Sequence, residues 1–348
     1  MKVLVAMSGG VDSSVAAGRC IEAGHDTVGV TMKLWGGDSD TGCCSVADVD
    51  DARRVADQFD IDHHVFNFGE EFAEHVIEPY VESHVAGRTP NPCIECNRHL
   101  KFDRLFERAT TLGFDAVATG HHARVVTRGD GRWALARGAD RAKDQSYVLS
   151  MLDQATLART LFPVGDLTKG QVRDEARRLG LRTADKPDSQ DVCFITSRQG
   201  RSGFLGERIE PTPAQVVDGD GRAVGHVDSV ELVTIGQRRG LGLPGGSPPQ
   251  FVTAVDTGSA TTPARVTIGR RADLLTDRTP LVAPTWVDQP VSGRVIAQTS
   301  AHGTPTGATL DDVTLVWDDR RPKVAPGQTV AFYDPGAPDH VLGAAIAA

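Results

Sequence analysis

Cys93 and Cys96 stand two residues apart in the stretch TPNPCIECNRHLKFDRL, residues 89–105. A pair spaced this way can hold zinc, run a thiol–disulfide cycle, carry sulfur as a persulfide, or help to ligate an iron–sulfur cluster. The chain has six cysteines. Cys20 falls inside a helical pattern and reads as a small core residue. Cys43 and Cys44 are adjacent in a loop and take no assignment, and Cys193 lies far along the chain in SQDVCF. No second C-x-x-C and no suitably placed histidine pair completes the four ligands of a structural zinc site. Nothing else in the sequence suggests a thioredoxin-like redox fold.

A second constellation suits phosphate. SGGVDSS, from Ser8 to Ser14, follows the apolar run KVLVAM and opens a helical pattern. Gly9 and Gly10 let backbone N–H groups approach an anion, and the positive end of the helix dipole adds to them. Ser8, Ser13 and Ser14 offer hydroxyls to the same anion, and Asp12 is placed to position a magnesium ion. The lysine of G-x-x-x-x-G-K-[ST], which reaches the β- and γ-phosphates, is absent. A loop that cradles pyrophosphate without it suits cleavage between the α- and β-phosphates, which is adenylation.

These residues need a scaffold. KVLVAM (2–7), DTVGVTMKL (26–34), HHVFNF (63–68) and FDAVATG (114–120) read as short buried strands, with helical spacing between them, as in Val49, Ala52, Ala56 and Phe59. Such alternation predicts a Rossmann-like parallel sheet with helices on both faces and ligands at the carboxyl ends of its strands. TKGQVRDEARRLGL predicts a helix with a Thr168–Gln171 capping box, an apolar stripe of Val172, Ala176 and Leu179, and Gly180 at its end. Beyond about residue 205 the helical period gives way to Gly, Pro and turns such as DGDG (218–221). PQFVTAVD, ARVTIG, GRVIAQTS, VTLVW and QTVAFYD read as strands of small β-barrels. The fold class is therefore α/β plus all-β. Its boundaries are expected at 1–204, 205–272 for a central small β domain, and 273–348 for a C-terminal barrel.

Hydrophobic content of 40% and charged content of 24% suit a soluble globular protein. No signal peptide and no apolar stretch of roughly 20 residues is visible, so a membrane is not expected and the cytoplasm is. The net charge of −9 argues mildly against non-specific nucleic-acid binding, although one basic face suffices for phosphate contacts. Arg98, Lys101, Arg104 and Arg108 form one basic group, and Lys169, Arg173, Arg177, Arg178, Arg182 and Lys186 another. Each reads first as a solvated helix face. His63 and His64 read as structural, and Trp35, Trp133, Trp286 and Trp317 as packing.

The loop resembles that of the PP-loop ATP pyrophosphatases, which activate a carbonyl or carboxylate oxygen with AMP. Further stretches narrow the likeness: GCCSVADVDDARRVA, GRTPNPCIECNRHLKFD, ATGHHARV, AKDQSYVL, DSQDVCFI, TIGQRRGLG and RVIAQTSAHG. In order and spacing they are similar to the tRNA-specific 2-thiouridylases along nearly the whole chain. The resemblance implies ATP-dependent replacement of the C2 oxygen of wobble uridine 34 by sulfur in tRNA for Lys, Glu and Gln. It makes Cys96 the nucleophile and Cys193 the persulfide carrier, able to pair with Cys96 as a disulfide. It places ATP against Ala6, Met7, Ser8, Gly9, Gly10, Val11, Asp12, Ser13 and Ser14, with Met32 and Gly120. Asn97, Arg98 and His99 would approach the extruded base. His121, Lys143, Asp144, Gln145 and Gln328 would contact tRNA, as would a helical insert near 150–190. A cysteine desulfurase or sulfur-relay protein is implied as donor, with ATP and Mg²⁺ as cofactors.

One position departs from the family. Many members carry Asp where this chain has Cys93, and a thiol titrates far above a carboxylic acid. Cys93, Cys96 and Cys193 could instead bind three irons of a [4Fe–4S] cluster, the fourth carrying sulfide. Persulfide and cluster routes both stand at this point. Two further readings are a PP-loop ligase acting on a small molecule and a tRNA-binding module without catalysis. Dependence of AMP formation on tRNA separates the first, and release of pyrophosphate the second.

Overall fold

The valine-rich runs become the strands of a five-stranded parallel sheet. In the computed structural model, which describes residues 1–34, 45–188, 192–196, 198–244 and 248–348, these are β1 (Lys2–Ala6), β2 (Asp26–Lys33), β3 (His63–Asn67) and β4 (Ala116–Thr119), with the short strand Thr160–Leu161. Their order is β3–β2–β1–β4 and then Thr160–Leu161, every neighbouring pair parallel. The chain leaves β1 for β2 on one side and returns to β4 on the other, so the loop after β1 lies at the switch point, where such sheets bind ligands.

Side chains of β1 alternate between two cores. Val3 and Val5 pack with the helices α1 (Val11–Glu22), α2 (Val46–Gln58) and Lys169–Arg178, while Leu4 packs with Phe72, Leu100 and Leu105 on the other face. The helix expected after Thr168 is present, with Thr168 and Gln171 bonded as a capping box and Gly180 at φ +66° beyond its end. Cys20 lies buried in α1, where burial pushes its thiol up to about 12. It belongs to the core.

The second half is all β. A four-stranded sheet (Phe251–Asp256, Arg265–Gly269, Ala214–Val217, Ala223–Val227) carries its own apolar core. The C-terminal strands, from Leu275–Trp286 to Val341–Ala347, close into a six-stranded barrel. Trp286 stacks on Phe332, and Trp317 donates its indole N–H to Thr279, so both tryptophans pack as expected; Trp35 lies outside the described residues. Among the described residues no helix is long and apolar enough to cross a membrane.

The central sheet is tied to the N-terminal half through His84, which is 2% exposed. Its Nδ1 donates to the Glu231 carbonyl at 3.2 Å, and its ring meets Tyr80 at 4.6 Å. Burial, aided by the Arg201 guanidinium, pushes the imidazole down to about 4. Between about pH 6.5 and 4 the unfolded chain takes up a proton that the folded chain refuses. Stability should fall across that window by about 3 kcal/mol, at 1.36 kcal/mol per unit, then level off. Thermal unfolding at pH 7 and pH 4.5 should therefore show a larger loss for the native protein than for His84→Gln. Equal losses would remove His84 from this account.

Candidate active site

The site begins with a helix start that no side chain caps. Gly10 is the N-cap of α1 and receives no side-chain bond, so the first-turn amides point into the space beyond β1. The serines behave differently from expectation. Ser14 Oγ donates to Gly10 O at 2.8 Å and Ser13 Oγ to the same carbonyl at 3.1 Å, and Ser13 Oγ accepts from Ser8 N. Those two hydroxyls hold the loop in shape from within, and only Ser8 is exposed. Gly9 adopts φ +70°, and a Cβ there would meet Asp48 O at 2.2 Å. Gly120 packs so closely on α1 that a Cβ would lie 2.6 Å from Ser13 N.

Two lysines reach this loop from the far side of the sequence. Lys169 Nζ lies 2.8 and 2.7 Å from the two oxygens of Asp12 and 2.8 Å from Asp188. Lys186 Nζ donates to Gly9 O at 3.0 Å and pairs with Asp48 at 2.7 Å and Asp51 at 2.8 Å. His122 Nε2 adds a 3.1 Å contact to Asp12, while its buried Nδ1 has no hydrogen-bond partner. Burial would raise the Asp12 carboxyl, but the bonds from His122 and Lys169 outweigh it and hold it below the usual range. Asp188 is held well below its usual range: burial opposes the shift, and Lys143 and Lys169 win. The 169–186 basic group is thus not a solvated face throughout. Lys169, Arg173 and Lys186 turn inward, and this corrects the sequence reading.

Cys96 sits on the other side of the sheet. Asn91 caps Pro92–Glu95 by accepting from Cys93 N, and the helix widens to π geometry over Cys96–Arg104. Such widenings recur at functional sites. Cys96 is buried in the cluster that also holds Met32, and Cys193 packs against that cluster from its edge. Phe194, next to Cys193, meets Phe72 at 5.7 Å and Tyr80 at 5.5 Å, which seats the segment there. Cys93 is half-buried. Cys43 and Cys44 lie outside the described residues. Among the described residues no three Cys, His, Asp or Glu side chains form a group that could hold a metal ion, so Cys93, Cys96 and Cys193 do not make a ligand set in this arrangement.

Around Cys96, Asn97 is 2% exposed, donates Nδ2 to Val148 O at 3.0 Å, and leaves its buried Oδ1 without a hydrogen-bond partner. His99 lies between Glu95 at 3.4 Å and Asp103 at 3.3 Å and stacks on His75, and Arg98 Nε is 3.7 Å from Glu95. His121 is buried between Phe102 and Phe162, with Nδ1 2.7 Å from Thr119 Oγ1; burial holds it neutral. Lys143 is exposed and paired with Asp188. Gln145 accepts from the His122 amide. Gln328 donates to Thr89 O, fastening the barrel to the stretch that leads into Cys93.

Asp144 faces inward. It pairs with Arg137 at 2.8 Å and accepts from Gly138 N and from Ser146 N and Oγ, while Arg137 also donates to Gln298 and covers the Tyr333 ring. Asp144→Ala would leave that guanidinium buried and half-satisfied. The expected cost is about 3–5 kcal/mol, read as a fall in the urea midpoint. A midpoint unchanged from the native protein would show the pair to be dispensable.

The comparisons with known proteins agree along the chain. Residues 1–197 match the family model described as the tRNA methyl transferase HUP domain, and 202–271 the tRNA methyl transferase PRC-barrel domain. Proteins named tRNA-specific 2-thiouridylase MnmA include one from Mycobacterium ulcerans, 46% identical, covering 99% of this chain and 97% of its own length. Another, from Chloroflexus aurantiacus, is 44% identical over 95% of this chain and 94% of its own. Among solved structures, a 4-thiouridine synthetase bound to RNA and ATP is 20% identical over 56% of this chain and 44% of its own, at a TM-score of 0.38.

Proposed function

Because the chain belongs to the tRNA-specific 2-thiouridylase family, we propose that it transfers sulfur to tRNA, replacing the C2 oxygen of wobble uridine 34 in tRNA for Lys, Glu and Gln at the expense of ATP. The observation that carries this reading is the joining of two chemistries on one sheet. An uncapped helix start beside Gly9 suits the departing pyrophosphate, while Cys96 and Cys193 share an apolar cluster with Met32. The family-model description speaks of methyl transfer. The phosphate loop and the two cysteines at one apolar cluster suit adenylation and sulfur transfer instead.

The uracil C2 oxygen attacks the α-phosphorus of ATP and pyrophosphate leaves to the loop. The terminal sulfur of a Cys193 persulfide then attacks C2 and expels AMP, forming a C2–S–S–Cys193 link. The Cys96 thiolate attacks the Cys193 sulfur, which leaves thiouridine and a Cys96–Cys193 disulfide, and an external thiol returns both to the reduced state. Asn97 Oδ1, lacking a partner beside Cys96, is suited to accept from the uracil N3–H. Lys143 and Gln145, with Gln328 on the barrel, offer polar contacts to the tRNA backbone. Asp12 can share a phosphate-bound Mg²⁺, for which one carboxylate plus phosphates is an ordinary set; the ion would neutralise phosphate charge. The donor is a cysteine desulfurase or a relay protein, and the cytoplasm is the fitting compartment.

No step is assigned to a [4Fe–4S] cluster, since the three candidate thiols do not converge as a ligand group. The test is thiolation of unmodified tRNA for Glu under anaerobic conditions, with ATP, Mg²⁺ and a persulfide donor. Metal-free protein should form 2-thiouridine. Product from cluster-reconstituted protein alone would overturn the persulfide route, and product from neither would overturn the thiolation reading.

A further inference from the structure

The phosphate loop is short of positive charge. Pyrophosphate carries roughly three negative charges at neutral pH, since second ionisations of phosphates lie near pH 6. Against this the start of α1 offers about half a positive charge. The hydroxyls of Ser13 and Ser14 are already bonded within the loop. The lysine that other phosphate loops carry in their own sequence is missing.

We propose that Lys169 and Lys186, entering from the segment after β4, are the cations that receive the pyrophosphate half of ATP. This rests on the adenylation reading above. Each ammonium already stands at a loop atom: Lys169 on Asp12 in the first turn of α1, Lys186 on the carbonyl of Gly9. The remaining contacts of each are to carboxylates, Asp188 for Lys169 and Asp48 and Asp51 for Lys186. Those carboxylates hold the ammonium groups aimed at the loop, and phosphate oxygens can take the place of one of them at each lysine. An ammonium group carries three donors, so the exchange needs no rotation of the backbone. His122 adds a third contact at the same place, its Nε2 lying 3.1 Å from Asp12 Oδ1. The two lysines lie 157 and 177 residues from their loop partners. One ion pair, Lys169 to Asp12, and one hydrogen bond, Lys186 to the Gly9 carbonyl, both ending on one seven-residue loop at such separation, are what a divided phosphate site requires.

The test uses the full-length protein and inorganic pyrophosphate with Mg²⁺, with no tRNA and no turnover. Calorimetric affinity should fall about 10- to 100-fold in Lys169→Met and in Lys186→Met, the scale of a lost charged hydrogen bond. Lys186→Arg should recover most of it. In case a variant does not fold, acylation of lysines in the native protein gives a second reading. Pyrophosphate should protect Lys169 and Lys186 and leave Lys323 unchanged. Native-like pyrophosphate affinity in both folded Met variants, or no protection of either lysine, overturns the proposal. Weak pyrophosphate binding by the native protein itself would instead count against the adenylation reading.

Discussion

Cys96→Ser should lower the rate of tRNA thiolation on the order of 10³-fold or more, while pyrophosphate release in the presence of tRNA survives as a single burst. A serine hydroxyl titrates far above a thiol and cannot perform the thiol–disulfide exchange that frees the product. In the proposed mechanism adenylation uses the loop at Gly9, which leads into α1 on the other face of the sheet from the cluster that holds Cys96. What distinguishes the two cysteines is where each variant stalls. Without Cys96 the C2–S–S–Cys193 link has no internal thiol to break it, so a covalent tRNA–protein adduct should build up and dissolve in external thiol. Cys193→Ser cannot carry the sulfur at all, so it should stall earlier, with adenylated tRNA and no adduct. Gel mobility of labelled tRNA, with and without dithiothreitol, reads both outcomes. Adduct in the Cys193 variant would reverse the two roles.

Cys93 supplies the contrast. It is half-buried at the first turn of Pro92–Glu95, where its amide, rather than its sulfur, serves the Asn91 cap. Cys93→Ala should keep thiolation within about tenfold of native, an effect of about 1.4 kcal/mol. A loss as complete as that of Cys96→Ser would restore the three-cysteine cluster as the sulfur carrier.

The signals that were legible in the sequence are local. SGGVDSS announced a turn and a helix start because glycine, serine and aspartate act on backbone groups within four residues, and the Thr168–Gln171 box did the same for its helix. Lys169 and Lys186 were not legible as loop residues. Their partners lie more than 150 residues away, and a basic stripe on an amphipathic helix looks the same whether it faces water or a phosphate site. The strand Leu275–Trp286 was hidden for another reason. It carries Pro280 and Pro284, which ordinarily demote a strand, and the barrel accommodates the second at a bulge between Val282 and Thr285, where Ala283 takes φ +49°. Val341–Ala347 is rich in alanine and glycine, so only closure of the barrel makes it a buried strand. The π-helical turn at Cys96 has no sequence signature. It arises where the helix must fit between the sheet and the Ala73–Ile77 segment, itself π-helical, at the stacked His75 and His99.

Gly9→Ala should cost at least about 100-fold in affinity for ATP, or about 2.7 kcal/mol. Two penalties act together. A φ of +70° costs a residue with a side chain about 1–2 kcal/mol. The added Cβ would also stand 2.2 Å from Asp48 O, a backbone atom in the first turn of α2 that no rotamer change can move. Either the loop withdraws or α2 shifts. Both displace Lys186, which bridges Gly9 O and the Asp48 carboxylate. Gly10→Ala is the control. Gly10 has φ −91°, and its nearest obstacle would be Ser8 Oγ at 3.5 Å, an ordinary contact. That variant should bind ATP within about tenfold of native, since only the closeness of a bound phosphate can penalise it. The measurement is ATP affinity by calorimetry on both variants, with the urea midpoint recorded to show that each is folded. If Gly9→Ala binds ATP as the native protein does, the loop does not hold phosphate in the conformation described. If Gly10→Ala is hit as hard as Gly9→Ala, the loss comes from the ligand pressing on the loop rather than from the clash with α2.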